Sequence, residues 1–315
     1  MLAQPPLLRL FLVGAITVAG ACATPAERSP LAAARPVPAT STTTPPHAST
    51  TTEPIDLFAL QPPRPAGDPT SLADQIETAE ATLRDPTRTD AAIARAALAQ
   101  QVAYRQLGVH PDWDDAVSAA LPAKLRRAVE LNAAARREFR AMHTKLPTIM
   151  PAWRIVKPIS ADDLRASYTA AADVFGIPWE YLAAINLVET GFGRIRGTST
   201  SGAQGPMQFM PATWEAYGDG GDINDAHDAI MGAGRYLAAN NGASDIDHAL
   251  FRYNHSDHYV RGVGLYAQVI REDPTAFTAL YWWGIWYLTE RGEVYLPVGY
   301  DEPAPVPVGD YLARR

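Results

Sequence analysis

The sequence is poor in cysteine and in net positive charge, and each shortage excludes a class of structure or function. Its 315 residues include one cysteine, Cys22, so no disulfide can form within the chain. The formal net charge is −7, which argues against nucleic-acid binding, because that requires a basic surface to meet the phosphates. The same charge gives no electrostatic reason to bind anionic lipid. A neutral or mixed-charge polymer is the easier ligand to accommodate.

The N-terminus lacks an apolar run of membrane-spanning length. Arg9 precedes a short apolar stretch, residues 10–19, and small residues surround Cys22. This pattern predicts a secretory signal over residues 1–22. The stretch Ala19-Gly-Ala-Cys22 also resembles a bacterial lipobox, which would make Cys22 the lipidated first residue. The usual leucine is absent, so cleavage at an Ala-x-Ala site is the alternative. In both cases we expect the mature protein outside the cytoplasm, secreted or anchored by lipid in the cell envelope.

The next two segments carry no chemical motif. Residues 23–66 are rich in Pro, Thr and Ala without apolar periodicity, which predicts a disordered linker. Residues 67–150 contain three apolar stripes at steps of three and four residues, which predict a helical subdomain. The longest stripe runs from Leu121 to Leu146. We expect this subdomain to pack on the rest of the protein, with a partner surface as the alternative.

The C-terminal half is also predicted to be helical. Residues 151–272 are expected to form a domain that follows the helical subdomain. Residues 273–315 are predicted to form an aromatic helix and a Pro-rich tail, because Phe277, Tyr281, Ile285 and Leu288 lie at helical spacing. Strand patterns are scarce, so the fold class is mainly α.

Glu189 is the strongest catalytic candidate. Leu182, Ile185, Asn186 and Glu189 share one face of an apolar helix, and Gly191 ends that helix directly after the carboxylate. A carboxyl group on a buried face should have a raised pKa. A general acid for glycoside cleavage needs such a pKa. Taken alone the pattern is weak, because a glutamate near a helix end is usually solvated or paired with a cation.

A longer set of motifs gives Glu189 its context. Glu189-Thr-x-Phe, Gly202-Ala-x-Gly-x-Met-Gln-Phe-Met-Pro-x-Thr213, Ala229-Ile, Gly234-x-Tyr-Leu237 and Tyr253-Asn254 follow one another in the order and rough spacing of the transglycosylase SLT domain. Residues 160–272 thus resemble lytic murein transglycosylases of the lysozyme-like superfamily, which are related to goose-type lysozymes. The resemblance implies a lysozyme-like (SLT) catalytic domain preceded by the helical subdomain. Some positions depart from the soluble type, such as Thr190 in place of serine, so the subfamily stays open.

The resemblance also implies a reaction. It is cleavage of the β-1,4 bond between N-acetylmuramic acid and N-acetylglucosamine in peptidoglycan, with formation of anhydro-muramyl ends. Glu189 would act as acid to the glycosidic oxygen and then as base to the muramyl C6 hydroxyl. No second acid lies between Thr190 and Trp214, which agrees with a mechanism in which a group of the substrate replaces the second carboxylate. A lysozyme-like hydrolase and a non-catalytic wall-binding protein remain alternatives. We expect glycan strands as the partner, no cofactor and a monomer.

Further roles follow from the same resemblance. Tyr253 matches a catalytic-site tyrosine whose hydroxyl lies near the glutamate and can orient it. Gln208 and Met210 fall where the family lines its sugar cleft. The substrate-binding set implied by the matching positions is Thr190, Gly205, Gln208, Met210 and Asn254. Alternatives remain for four of them: Thr190 could hydrogen-bond the glutamate or cap the helix end, Gly205 could shape the loop, Met210 could belong to the core, and Asn254 could hold loops together.

Two groups of potential metal ligands do not predict a metal site. The acidic cluster between Asp219 and Asp228 contains Asp219-Gly-Gly-Asp222, which does not follow the spacing of a calcium loop. The histidines between His227 and His258 lack the paired spacing of zinc ligands. We therefore expect no bound metal.

Overall fold

Helices dominate the part of the chain that the computed structural model describes, residues 55–315. They take up 57% of it, which confirms the mainly α prediction. The predicted signal, Cys22 and residues 23–54 of the predicted linker lie outside the described residues. The helices of the described part are α1 (Pro69–Leu83), α2 (Asp90–Val109), α3 (Asp114–Ala120), α4 (Ala123–Ala141), α5 (Ala161–Phe175), α6 (Trp179–Thr190), α7 (Pro211–Tyr217), α8 (Ala226–Ala239), α9 (Ile246–Tyr253), α10 (Asp257–Glu272), α11 (Ala276–Trp282) and α12 (Val308–Ala313). None of them is both long enough and apolar enough to cross a bilayer.

Within residues 55–315, six short strands pair into three two-stranded antiparallel sheets. The strands are β1 (Ile149–Met150), β2 (Arg154–Ile155), β3 (Ile195–Arg196), β4 (Ile285–Thr289), β5 (Gly292–Leu296) and β6 (Val306–Pro307). The pairs are β1 with β6, β2 with β3, and β4 with β5. The first two pairs join segments far apart in sequence, so they fasten the C-terminal residues and the loop after α6 to residues 149–155.

The aromatic helix predicted from residue 273 onward ends earlier than expected. α11 stops at Trp282, and Ile285 and Leu288 belong to strand β4. A side chain at Gly284 would put its Cβ 2.4 Å from the Tyr295 ring. This close approach of strand β5 requires glycine and marks the point where the periodicity changes from helix to strand. The predicted Pro-rich tail also contains structure, namely β6 and α12.

Two other boundaries differ from the sequence prediction. The helix predicted from the stripe Leu121 to Leu146 is shorter at both ends, because Leu121 is extended before Pro122 and α4 ends at Ala141. Residues 55–66 have neither helix nor strand, yet they are held to the protein. The Ala66 N–H donates to Gln106 Oε1, and Gln106 Nε2 donates back to the Ala66 carbonyl. The predicted disordered linker therefore does not reach residue 66.

The helices before and after residue 150 share one apolar core. One continuous cluster of buried side chains includes Leu72 and Leu125 from the N-terminal helices and Ile185 from α6. Helix α4 lies along α10, and a Cβ added at Gly262 would come within 2.6 Å of the Phe139 ring. Beside this contact, Glu138 of α4 accepts hydrogen bonds from Arg261 of α10. A second, smaller apolar cluster, including Trp153 and Tyr287, joins the β-sheets.

Local signals place α6 accurately. Ser160 caps α5, because its hydroxyl accepts a hydrogen bond from the Asp163 N–H at 3.0 Å. Gly176, at φ +69°, ends α5 in the left-handed conformation. Pro178 then precedes α6, whose C-terminal residues carry the candidate acid.

Candidate active site

Glu189 is completely buried at the C-terminal end of α6. Its side chain has 0% relative exposure. Its Oε1 atom accepts a hydrogen bond from the Tyr259 hydroxyl at 2.9 Å, whereas its Oε2 atom is buried without a hydrogen-bond partner. Burial raises the pKa of Glu189 from an ordinary 4.5 to about 8, and the hydrogen bond from Tyr259 opposes part of this rise. The carboxyl group is therefore largely protonated at neutral pH.

The end of α6 is closed by a left-handed glycine. Gly191 has φ +58°, and its N–H donates to the Leu187 carbonyl. The next residue, Phe192, also has a positive φ of 61°, and its buried ring packs against Phe277. A left-handed conformation is unusual for an aromatic residue and is maintained here by packing. This turn ends α6 and leads the chain into the glycine-rich loop.

Thr190 and Asn186 fasten the glycine-rich loop to α6. The Thr190 hydroxyl donates to the Pro206 carbonyl at 2.6 Å and accepts from the Gly193 N–H at 3.0 Å. Asn186 donates to the same Pro206 carbonyl, while its own Oδ1 accepts from the Tyr168 hydroxyl. Thr190 is fully buried and its hydroxyl is occupied within the protein. Thr190 thus positions the loop and makes no hydrogen bond with Glu189, and its place among the substrate-binding residues stays a prediction.

Gln208 is buried in the loop with one side-chain atom unpaired. Its Nε2 donates to the Gly205 carbonyl at 3.0 Å, and its Oε1 has no partner. Its φ of 51° is left-handed. Gly205 has φ +73°, and a Cβ there would lie 1.9 Å from the Ile223 carbonyl oxygen. The glycine is therefore required by an approach of protein backbone. Its predicted contact with substrate gains no support from this packing.

The other predicted positions surround the loop. Met210 is partly exposed at the start of α7, whereas Phe209 is buried against Trp214 and Tyr253. Asn254 follows α9, where its carbonyl accepts from the Ser256 N–H. Its Nδ2 is buried without a partner.

Tyr259 makes the contact with Glu189 that was expected of Tyr253. The Tyr253 hydroxyl donates to the Met207 carbonyl at 2.6 Å. It thereby holds the loop, and its ring stacks on Tyr259 with centroids 6.4 Å apart. Sequence reasoning missed Tyr259, although its spacing to Val263 and Tyr266 already puts it on the inward face of α10.

Two concave regions flank the segment that carries these residues. A cavity of about 80 Å³ is bordered by Leu187, Val188 and Gly191, next to Glu189 in sequence. A wider groove of about 580 Å³ is bordered by Gln204 and Gly205 of the loop. Glu189 itself borders neither of them, so its carboxyl group is enclosed. Within residues 55–315, no three His, Cys, Asp or Glu side chains are grouped to hold a metal ion.

The arrangement defines a class of site. A mainly helical fold presents one protonated glutamate at the end of an apolar helix, and no neighbouring ionised group contributes to its pKa shift. A buried, protonated carboxyl group is chemically suited to act as a general acid.

The comparison with known families agrees with this class. Residues 167–267 match the model of the Transglycosylase SLT domain. The match covers about a third of the chain, from α5 to α10, and confirms the resemblance to lytic transglycosylases of the lysozyme-like superfamily. Proteins with this domain act on peptidoglycan. No curated protein and no solved structure matches the chain. Helices α1–α4 and the β4–β5 hairpin lie outside the matched residues.

Proposed function

We propose that this protein is a lytic transglycosylase that cleaves the β-1,4 bond between N-acetylmuramic acid and N-acetylglucosamine and leaves anhydro-muramyl ends. The observation that carries the proposal is the state of Glu189. It is buried, its pKa is raised to about 8, and its Oε2 atom is unpaired beside the loop of the SLT motif. A neutral carboxyl group with one free oxygen is what proton donation to a leaving oxygen requires.

The hydrogen bonding of Glu189 indicates which oxygen acts. Because Oε1 accepts a hydrogen bond from Tyr259, the acidic proton resides on Oε2. That proton passes to the glycosidic oxygen as the bond to the muramyl C1 breaks. The resulting carboxylate retains the hydrogen bond from Tyr259, which stabilises the anion. It then takes the proton of the muramyl C6 hydroxyl while O6 bonds to C1, which closes the anhydro ring without water and restores the acid.

The surroundings of Glu189 favour a reaction without a second protein carboxylate. Among the described residues the buried carboxyl side chains are Glu189 and Glu80. Glu80 is already paired with Arg84 and accepts hydrogen bonds from Gln100 and Tyr104. Ordinary glycosidases place two carboxyl groups about 5–10 Å apart across the bond, and the exceptions use a group of the substrate. The single acid supports such substrate assistance.

Two further unpaired atoms are available to the sugar. Gln208 Oε1 can accept a hydrogen bond, and Asn254 Nδ2 can donate one. A buried polar atom without a partner costs about 1–3 kcal/mol. A bound glycan that pairs with these atoms would recover that free energy. Partly exposed Met210 supplies an apolar contact nearby. These three residues, with Glu189 as the acid, are the proposed substrate contacts.

Catalysis requires the enclosure around Glu189 to open. With 0% exposure, the carboxyl group can reach a glycan only when the side chains that cover it move. The same enclosure raises the pKa of Glu189. The closed state therefore keeps the carboxyl group protonated, and an open state brings it into contact with the glycan.

Mass analysis of digested peptidoglycan tests the proposal. Purified protein should release muropeptides with anhydro-muramyl ends. Glu189→Gln should abolish the release while the protein keeps its fold and its glycan binding. Glu215→Gln, the same change on an exposed helix, is the control and should retain activity. Reducing ends in place of anhydro ends would support a lysozyme-like hydrolase. Full activity of Glu189→Gln, or no release by the wild-type protein, would contradict a catalytic role.

We also propose that the protein acts outside the cytoplasm, as its substrate and its N-terminal sequence suggest. The intact mass of the mature protein separates the alternatives for the N-terminus. A diacylglyceryl group on Cys22 would support the lipid anchor, and an unmodified start near residue 22 or 24 would support secretion.

A further inference from the structure

The small cavity beside α6 is lined by cationic and aromatic side chains. We call it the arginine pocket, and it consists of Gln101, Arg105, Arg136, His143 and Trp286 together with their apolar neighbours. Nine of its thirteen lining residues, including those from α2, α4 and β4, lie outside the residues that match the SLT family. The SLT motif therefore does not account for this site.

The charges around the arginine pocket are unbalanced. Glu293 is the carboxylate among them, and three guanidinium groups surround it, with Arg105, Arg136 and Arg140 at 2.8, 3.4 and 3.7 Å. Burial raises the pKa of Glu293, but the arginines more than offset this and bring it below its ordinary value, so the group is ionised. Burial and Arg136 lower the pKa of Arg105 to about 9, which still leaves it cationic at neutral pH. Of these arginines only Arg105 and Arg136 line the pocket, and they share this one carboxylate, so one positive charge at the pocket lacks a counter-charge among the described residues.

Two hydrogen-bonding atoms of the pocket have no partner. Arg105 is paired with Glu293, because its Nε donates to that carboxylate and its Nη2 lies 2.8 Å from it, whereas Arg136 Nε has no acceptor. His143 Nδ1 is also buried and unpaired. Burial lowers the pKa of His143 to about 4, so its ring is neutral and can donate or accept. Unpaired buried donors on guanidinium groups are expensive unless an anion joins them.

The aromatic wall narrows the choice of anion. Trp286 lies under the Arg105 guanidinium, 4.8 Å from ring centroid to Cζ. Phe139 and Trp283 add apolar surface. A small, fully hydrated inorganic ion would leave these rings without a contact. A carboxylate attached to an organic body would use both the donors and the rings.

The position of the pocket relates it to the glycan. Leu187, Val188 and Gly191 border it, and they flank Glu189 on both sides. Phe139, which also borders the pocket, contacts Tyr259, the partner of Glu189. A substrate held at Glu189 would therefore have its substituents close to this pocket.

We propose that the arginine pocket binds a carboxylate carried by the peptidoglycan strand, from either the stem peptide or a free muramyl lactyl group. This inference rests on the proposed function for its choice of polymer. It assigns to the helices before residue 150 a role in recognising the substrate, in addition to packing.

Isothermal titration calorimetry with the full-length protein tests the binding independently of cleavage. The probes are N-acetylmuramyl-L-alanyl-D-isoglutamine, which offers a peptide carboxylate, N-acetylmuramic acid, which offers the lactyl carboxylate, and N-acetylglucosamine, which has none. None of them contains the bond to be cleaved. We expect at least one of the acidic probes to bind, with an affinity that falls as salt rises. The stronger of the two identifies the source of the carboxylate.

Arg136→Gln should weaken that binding roughly tenfold, since it removes a charge-assisted hydrogen bond. Arg140→Gln is the matched control: it removes the same charge beside Glu293 but does not border the pocket, and it should change the affinity less than about twofold. Because Arg136→Gln could disturb folding, the methyl ester of the stronger probe provides a second test on the wild-type protein. The ester should also bind roughly tenfold more weakly than the acid.

Equal effects of the two arginine substitutions, binding unchanged by esterification, or no binding of either acid would overturn the inference. The proposed function is judged separately by the products of digestion. Anhydro ends without binding of the acidic probes would refute only the proposal that the arginine pocket binds a carboxylate. Binding of these probes without digestion would refute only the proposed transglycosylase activity.

Discussion

Replacing Glu189 by Gln should change how the stability of the protein depends on pH. The buried carboxyl group has a pKa of about 8 in the folded protein and an ordinary value of 4.5 when unfolded. Between these values the folded state binds one more proton than the unfolded state. The free energy of unfolding contributed by Glu189 is therefore fully present below about pH 4.5 and falls by about 1.4 kcal/mol per pH unit as the pH rises towards 8. From about pH 5 to about pH 8 the loss is roughly 3.5 kcal/mol.

Glutamine keeps the shape of the protonated side chain and does not titrate. Urea unfolding followed by circular dichroism, on wild-type protein and Glu189→Gln over this pH range, measures the difference. His143, whose pKa burial lowers to about 4, contributes a slope of opposite sign. That slope is present in both proteins and cancels in the difference. Glu215→Gln is the control for the substitution itself, and it should keep the wild-type dependence. A wild-type-minus-variant difference that stays flat with pH would refute the buried, protonated state of Glu189.

Two further outcomes are expected. Tyr259→Phe should move the alkaline limb of the pH–kcat/KM profile to higher pH. The hydrogen bond from Tyr259 lowers the pKa of Glu189, so its removal raises that pKa. Tyr253→Phe, which removes a hydrogen bond to the loop instead, should leave the limb in place, and equal shifts would contradict this assignment. Gly205→Ala should destabilise the protein by several kcal/mol in urea unfolding, because its Cβ meets backbone at 1.9 Å. Gly220→Ala, at a similar φ of +81° but with open space, should cost only about 1–2 kcal/mol. Equal losses would show that φ alone requires the glycine at position 205.

Local patterns predicted the parts of the site that lie within one helix. The apolar face of α6 and the glycine after it were sufficient to place Glu189 on a buried surface at a helix end, and the structure has it there. Caps such as Ser160 and left-handed glycines such as Gly176 likewise act over a few residues, so they can be read directly from the sequence. The roles assigned to the matched site residues stay predictions until variants are assayed, and so do the domain boundaries.

Features that depend on how helices cross could not be predicted. Tyr253 and Tyr259 both face inward, and only the approach of α10 to α6 decides which hydroxyl reaches Glu189. Helical spacing is satisfied by Phe277, Tyr281, Ile285 and Leu288. The last two nevertheless lie in strand β4, because this segment pairs with β5. The arginine pocket combines Arg105, Arg136 and Trp286, which are far apart in sequence. The positive charge of this pocket arises only when the folded chain brings these residues together, so the sequence alone does not predict it.

The contact between Phe139 and Gly262 sets a lower limit on the piece of chain that can work alone. Helix α10 carries Tyr259, and the side of it that lacks a Cβ at Gly262 is completed by α4. A fragment trimmed to residues 167–267 would lack Phe139, so the surface of α10 at Gly262 would be exposed to water. The helix that places Tyr259 against Glu189 would then lose its packing partner. The stretch that matches the SLT family model is thus shorter than the apolar core in which α10 is packed, because that core also includes side chains from α4.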